Sequence, residues 1–485
     1  TGPDLAACKV QMATFLSGRD RNQEALVMFD EAIEELIAAE ARERLPLVHM
    51  NRALTLVDLG RLREAQHDLE EAWQVVEHDP AQTGFILSHL GWVAALRGDL
   101  VTALRWFEKL DVPGTPGRGD PGWLVDYAQA LLESGLTKEA IEMAGRSLDI
   151  ATEKGLKARR LLPLQVLAES SIRVGNFSGA IAAALSAAEA MEDLGATPLP
   201  AHLLECEAYL ARDPTVDDLD RFEQVIVDIE QTDRASLAAS ARVDLALASA
   251  RLGLVERALN ALPAGALNSG LLRTQARAWT AVALARGTQG NRSGAEAALR
   301  AALRRADLHR QAFGDAELRA ASGGVGEEAA LVGLQIAQKS QRRAKVFAWA
   351  ERTRSAAQRV PRLRSASDPQ QAELLGQYRQ ASDNLRKGKG DARRLEWDLK
   401  RLERRVRDHA RTAQGDSAAA RGVPALSDVR SRLDGGLFVE FVEVGDETQA
   451  LVVGPARSRL VQIPRSAELQ SRLRALDLAV GRALT

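Results

Sequence analysis

Two cysteines and seven histidines carry the sharpest chemistry in this chain of 485 residues. A thiol becomes a nucleophile when a base stands beside it and its pKa is lowered. Cys8 and Cys206 are far apart, each inside a helical pattern, which fits inert packing residues. No histidine belongs to an HExxH pair or to a Cys/His cluster with zinc spacing. No GxxxxGK[ST] occurs, and no GxGxxG follows a strand, so nothing is expected to cradle a phosphate. No metal and no cofactor is therefore expected, and no catalytic residue is assigned. His49 and His89 fall on the first helices of neighbouring units, within reach of a shared groove, but ordinary polar and packing roles account for them. Two distant thiols make no disulfide framework, and a reducing, cytoplasmic compartment is expected.

Composition narrows the class further. The 64 basic and 66 acidic residues leave a net charge of -2, which calls for neither nucleic acid nor an acidic membrane as partner. Hydrophobic residues make up 46% and aromatic residues only 4%, a balance suited to closely packed Ala- and Leu-rich helices. No apolar run approaches the roughly 20 residues needed to span a bilayer. The chain opens on Thr1, so the absence of a leader carries little weight.

Internal periodicity is the strongest signal. Ala25, Ala65, Ala103, Ala140, Ala180, Ala258 and Ala295 are separated by 40, 38, 37, 40, 78 and 37 residues. The long gap is two units and implies a degenerate repeat near Leu219. Twelve residues before each anchor stand Ala13, Ala53, Gly91, Ala128, Ala168, Ala246 and Ala283. Five residues before stand Gly60, Gly98, Gly135, Gly175, Gly253 and Gly290, with Asp20 the exception. Four residues after stand Phe29, Leu69, Phe107, Ala144, Ala184, Leu262 and Leu299. Two antiparallel helices per unit explain all three offsets. Small residues sit where the helices cross, glycine makes the left-handed turn, and the larger residue fills the gap to the next unit. The pattern resembles the tetratricopeptide family, whose period is about 34 residues. The resemblance covers about residues 5 to 358. It implies a right-handed superhelix whose first helices line a concave groove that binds protein or peptide. By register, Leu54, Ser88, Trp92 and Gln129 face that groove, which reads as apolar.

Segments 111–122 and 322–328 read as loops from their Gly and Pro content. The second precedes a last helix pair ending near Gln358. The expected domains are a repeat solenoid over 1–358, a linker with an antiparallel helical hairpin over 359–423, and the start of an α/β domain over 424–485. The hairpin rests on two heptad stripes, Leu374, Tyr378, Ala381, Leu385 and Leu395, Leu399, Leu402, Val406. Its second arm, 393–411, holds eight basic residues against four acids, and 342–364 holds eight against one. Without interleaved aromatic residues these read as solvated or domain-docking faces, and nucleic acid is not expected. Strands are expected over Leu437–Val444, Thr448–Val453 and Arg459–Ile463, then a helix from about Ala467 to Leu484. Three strands and one helix are too few for an independent α/β domain, so the chain reads as a fragment ending inside one.

The order of parts, with "GGLFVEFVEVGDETQALVVGPARSRLVQIP" after repeats and hairpin, resembles the actinobacterial CHAT family. That family joins tetratricopeptide repeats to a caspase-like domain. The resemblance lies in the strand pattern and implies a cysteine protease as parent. The family's His and Cys motifs lie beyond the first strands, so no catalytic residue on this chain follows from it. The chain alone is expected to be inactive, with its own protease domain a possible partner of the groove. Two other readings remain: a repeat-bearing signalling or transcriptional regulator, and a non-catalytic adaptor.

Overall fold

Backbone at the turns fixes the architecture. Gly60, Gly98, Gly135, Gly175, Gly253 and Gly290 have φ between +73° and +86°, where a Cβ would be strained. Asp20, the exception by residue type, takes the same conformation at φ 58°. Seven turns therefore close alike. At the degenerate repeat the turn is Asp213–Pro214, and Thr215 and Asp218 form a reciprocal capping box in place of the glycine.

The structure is a computed structural model that describes residues 2–76, 80–110, 120–268, 271–313, 321–358, 424–444 and 447–463, with scattered positions from 373 to 406. Consecutive helices pair antiparallel: α1 (Gly2–Ser17) with α2 (Asn22–Ala38), α3 (Leu45–Asp58) with α4 (Leu62–Val76), and α5 (Pro80–Leu96) with α6 (Leu100–Leu110). Next come α7 (Pro121–Glu133) with α8 (Thr137–Glu153), α9 (Leu161–Arg173) with α10 (Phe177–Asp193), and α11 (Leu199–Arg212) with α12 (Val216–Glu230). The series ends with α13 (Ala235–Arg251) and α14 (Val255–Ala261), α15 (Leu272–Thr288) and α16 (Arg292–Gln311), and α17 (Gly324–Ser340) and α18 (Arg343–Gln358).

All seven anchor alanines are 0–1% exposed, and so are the six alanines twelve residues earlier. A methyl group is the largest side chain that lets paired helices meet at these crossings. Gly91 is the tightest of them, because a Cβ there would lie 2.7 Å from Cε2 of the fully buried Phe107. The tetratricopeptide-like α-α fold expected from the repeat is what the chain adopts.

Both expected loops need correction. Residues 111–119 lie outside the described residues, but Pro121 and Gly122 already belong to α7. The Asp120 side chain accepts from the Gly122 N–H at 2.8 Å, and Pro121 occupies the first turn, where its missing donor costs nothing. From Gly324 onward the second segment is helix too. Gly326 serves close approach, since a Cβ there would meet the Ala306 methyl at 3.0 Å, and further along the same helix one on Gly333 would sit 2.2 Å from the Trp349 ring. Of the hairpin stripes, Leu374, Tyr378, Ala381, Leu399, Leu402 and Val406 are helical and at least half-buried. Leu385, Leu395, the turn between the arms and the helix expected over 467–484 lie outside the described residues.

The C-terminal strands form one antiparallel sheet in the order β1 (Phe438–Val444), β2 (Glu447–Val453), β3 (Ser458–Ile463). Phe441 pairs with Ala450, and Ala450 with Val461. One face packs on the last helix pair, Leu451 and Val453 against Phe347, and Val442 into the core of α17 and α18. Glu440 is 3% exposed on that face; burial pushes its carboxyl up to about 7, although Arg354 of α18 is paired with it.

Candidate functional site

Seven first helices, α3 to α15, turn their inner stripes toward one cavity of about 1430 Å³. Each stripe follows the helical period: Gln165, Glu169 and Arg173 on α9, Ser240, Asp244, Leu247 and Arg251 on α13, and Arg273 and Arg277 on α15. The superhelix closes on itself around this space. The turn after α1 meets the turn before α13: the Gln23 N–H donates to Asp233 Oδ2 at 3.0 Å across 210 residues, and Arg234 Nε lies 2.6 Å from Asp20 Oδ1. Nearby, Asp58 lines the cavity, and burial raises its carboxyl above the ordinary range. Further round, a Cβ on Gly135 would press into the Ala321 carbonyl at 2.4 Å, so backbone crosses backbone there.

Paired charges share the groove wall with apolar residues such as Val166, Leu203 and Leu247, so the lining is mixed where an apolar one was expected. Arg173 Nη2 reaches Glu133 at 3.0 Å and Glu169 at 2.6 Å. Arg273 Nη2 lies 3.1 Å from the same Glu133 oxygen and 3.6 Å from Glu169. Arg277 pairs with Asp244 at 2.5 Å, and Arg251 with Glu328. Burial would raise the Glu169 carboxyl, but the two guanidinium groups outweigh it and hold the carboxyl low. Asp244 is raised by burial despite Arg277. Glu207 lines the same wall; burial first, then Asp244 and Glu169, push its carboxyl up to about 8. The groove therefore carries a ladder of paired charges with one protonatable carboxyl inserted in it.

The four residues expected in the groove divide. Trp92 and Gln129 line the cavity; the buried Trp92 Nε1 and Gln129 Oε1 have no hydrogen-bond partner among the described residues. Leu54 is half-buried on α3 and is not part of the lining. Ser88 is 3% exposed and donates to Asp126 Oδ2 at 2.5 Å, at the joint between α5 and α7. The histidines also serve joints. His49 Nδ1 lies 3.2 Å from Asp68 Oδ1, and His89 Nδ1 lies 3.4 Å from Asp126 Oδ2. Burial would raise Asp68, but the Arg52 fork and His49 hold its carboxyl below the ordinary range.

Glu169 was missed although it stands at the same offset as Trp92 and Gln129, one residue after a crossing Ala or Gly. Cys206 is 2% exposed and burial pushes its thiol up to about 11, whereas Cys8 is exposed, which corrects its assignment to packing. Among the described residues no group of His, Cys, Asp and Glu could hold a metal ion, and no helix is long and apolar enough to cross a membrane.

No family model matches the chain, and no curated protein matches it. Solved structures do. A Rap protein complexed with competence and sporulation factor superposes with a TM-score of 0.51 at 15% identity, over 72% of this chain and 97% of the other. At that identity the likeness shows the fold alone, a tetratricopeptide-like helical repeat. Yeast Tom70 matches with a TM-score of 0.26 at 10% identity, over 84% of this chain and 97% of its own, too loosely to bear on the argument.

Proposed function

We propose that this chain is a protein-interaction scaffold that holds an extended segment of another protein in its central groove. The observation that carries this reading is the cavity. Its volume of about 1430 Å³ exceeds the roughly 300–1,000 Å³ of small-molecule sites, and it runs along the inner stripes of seven helices. Trp92 and Gln129 contribute an indole ring and an amide side chain to its wall. The Arg–carboxylate ladder supplies charge of both signs along the same wall, and Glu207, protonated at neutral pH, supplies an O–H donor. That a Rap protein of similar fold was solved with competence and sporulation factor is in keeping with a ligand-holding role.

The finer reading is that the scaffold is the sensor half of a cytoplasmic TPR-CHAT protein whose parent is a caspase-like cysteine protease. Domains 1–358, 359–423 and 424–485 would then be sensor, connecting hairpin and the opening of the protease domain. The sheet seated on α17 and α18 supports it, since movement in the last repeat would reach β1 through Arg354 and Glu440. The non-catalytic adaptor is the alternative, told apart by whether the parent carries a His–Cys pair.

Selection of binding peptides from a random display library on the purified chain tests the scaffold reading. Peptides that bind the native chain should lose at least about tenfold in affinity with Trp92→Ala or Glu207→Lys, as expected when one central contact is removed or reversed. Selected peptides indifferent to both substitutions would remove the groove from the account. Thiol-dependent cleavage by the full-length parent, abolished by alkylation, tests the protease reading; a parent inert under every condition that loads the groove would favour the adaptor.

A further inference from the structure

Successive turns of the superhelix meet along one seam. The turn after α1 meets the entry to α13 through Asp20 and Arg234. The turn after α5 meets the entry to α15, where a Cβ on Gly98 would touch Leu271 Cδ2 at 3.5 Å. The turn after α7 meets the entry to α17, backbone against backbone, at Gly135 and Ala321. Asp58, Arg97 and Gly135 on one bank, and Leu237, Leu271 and Ala321 on the other, line the cavity, so the seam is its side wall. The seam changes character along its length. On the α7 side Phe313, fully buried, carries the apolar core of α5–α8 across it, and Glu133 is shared by Arg173 and Arg273. On the α1 side the contacts are polar: the Asp20–Arg234 pair, with side chains 11% and 27% exposed, and the Gln23 N–H donating to Asp233 Oδ2. Asp58 stands in the field of that pair, so the clasp sets three carboxylates, of Asp20, Asp58 and Asp233, against the one guanidinium of Arg234. Among the described residues no apolar cluster joins α1–α4 to α13. Buried apolar area holds a joint shut, whereas partly exposed ion pairs add little.

We propose that this seam is a side gate to the groove: when the Asp20–Arg234 clasp parts, α1–α4 swing out about their joint with α5, and the gap admits the partner segment sideways. The remaining units stay together, because Phe313 and the Gly135–Ala321 crossing hold the α7 side. The swing rests on these contacts; its use as an entrance rests on the scaffold reading. Hinge opening of this kind needs only a few residues to change conformation, and the joints between stacked units supply them. A side gate also suits an extended segment of a larger protein. A segment flanked by folded domains cannot be threaded end-on through a closed tube, whereas an opened seam accepts it.

Paired spin labels read the swing without any ligand. Cys8→Ser removes the exposed thiol, and Cys206 is buried. Gln23→Cys with Gln231→Cys then places labels at exposed positions on the two banks of the clasp, and Lys138→Cys with Glu327→Cys does so on the α7 side. Arg234→Glu sets a fourth carboxylate in the clasp. It should shift the 23–231 distances to longer values and leave the 138–327 distances unchanged. Joining positions 23 and 231 with a short bis-maleimide should slow the association of library-selected peptides at least about tenfold, since binding that needs a conformational step is limited by it. Distances unchanged by Arg234→Glu, or both pairs lengthening together, would overturn the gate, and a cross-linked chain that takes up peptide at the native rate would overturn the entrance. If no peptide binds any form of the chain, the scaffold reading fails, and the distances still decide the swing.

Discussion

Replacing Gly91 by alanine should destabilise the protein, although alanine is the better helix former. A Cβ on Gly91 would lie 2.7 and 2.8 Å from Cε2 and Cζ of Phe107, which is 1% exposed and walled by the core of α5 to α8. That is about 0.7 Å inside the shortest ordinary carbon contact of about 3.5 Å. Forcing the ring aside costs on the order of 1–3 kcal/mol, because the close-packed neighbours must move with it. The helix gains about 1 kcal/mol from Gly to Ala, so the net effect is a loss on the order of 1 kcal/mol. Gly145, within α8, is the control: nothing lies within 4 Å of its added Cβ. There the propensity gain stands alone, and Gly145→Ala should stabilise by about 0.5–1 kcal/mol. Urea unfolding read by circular dichroism gives the two midpoints, and hydrogen exchange localises the change, since helical-repeat arrays need not unfold as one unit. A Gly91→Ala protein as stable as the native chain would refute the crossing geometry from which the repeat register is built.

Two further outcomes follow from the same residues. Because the folded Glu207 carboxyl is raised to about 8, its stabilising contribution is complete below the ordinary carboxylate range and is lost as pH climbs through about 8. Urea midpoints should fall over that interval, and Glu207→Gln should flatten the profile; an unchanged profile would show that Glu207 does not carry it. The chain by itself should cleave no peptide in a diverse library, with or without alkylation, because Cys206 is buried with its thiol pushed up to about 11 and Cys8 stands exposed on an outer helix face. Alkylation-sensitive cleavage would place a nucleophile at one of these two thiols.

The scaffold was legible in the sequence because its rules are steric and local. A crossing that admits only a methyl group, and a turn that needs positive φ, leave Ala and Gly at fixed offsets, and even Asp20 kept the turn where the glycine pattern broke. The sheet was legible from its apolar and aromatic runs and turn residues, to within a residue at each end. Glycine misled at Gly324 and Gly326, both inside a helix rather than a loop, and at Gly326 it serves a close helix crossing. The groove was legible only in part. Trp92 and Gln129 follow from register, but the ladder joins Glu133, Glu169, Arg173 and Arg273 from three first helices, and α7 meets α15 only because the superhelix curls round. That curvature is a sum of small rotations at each joint, set by side-chain packing rather than by any local signal. Exposure of Cys8 escaped for a related reason: the stripe reads as core in every unit, and residue type alone does not tell α1, where Cys8 is exposed, from the later first helices.

Photo-crosslinking from inside the groove tests the central claim most directly. A benzophenone amino acid placed at residue 92, on the cavity wall, should join covalently to a library-selected peptide on irradiation. The same group at Val174, 51% exposed and outside the cavity lining, should not. Peptide sequencing then reports which of its residues lies against position 92. Crosslinking from 92 alone is the predicted result; equal yields from both positions, or a yield only from 174, would contradict a groove that holds its partner.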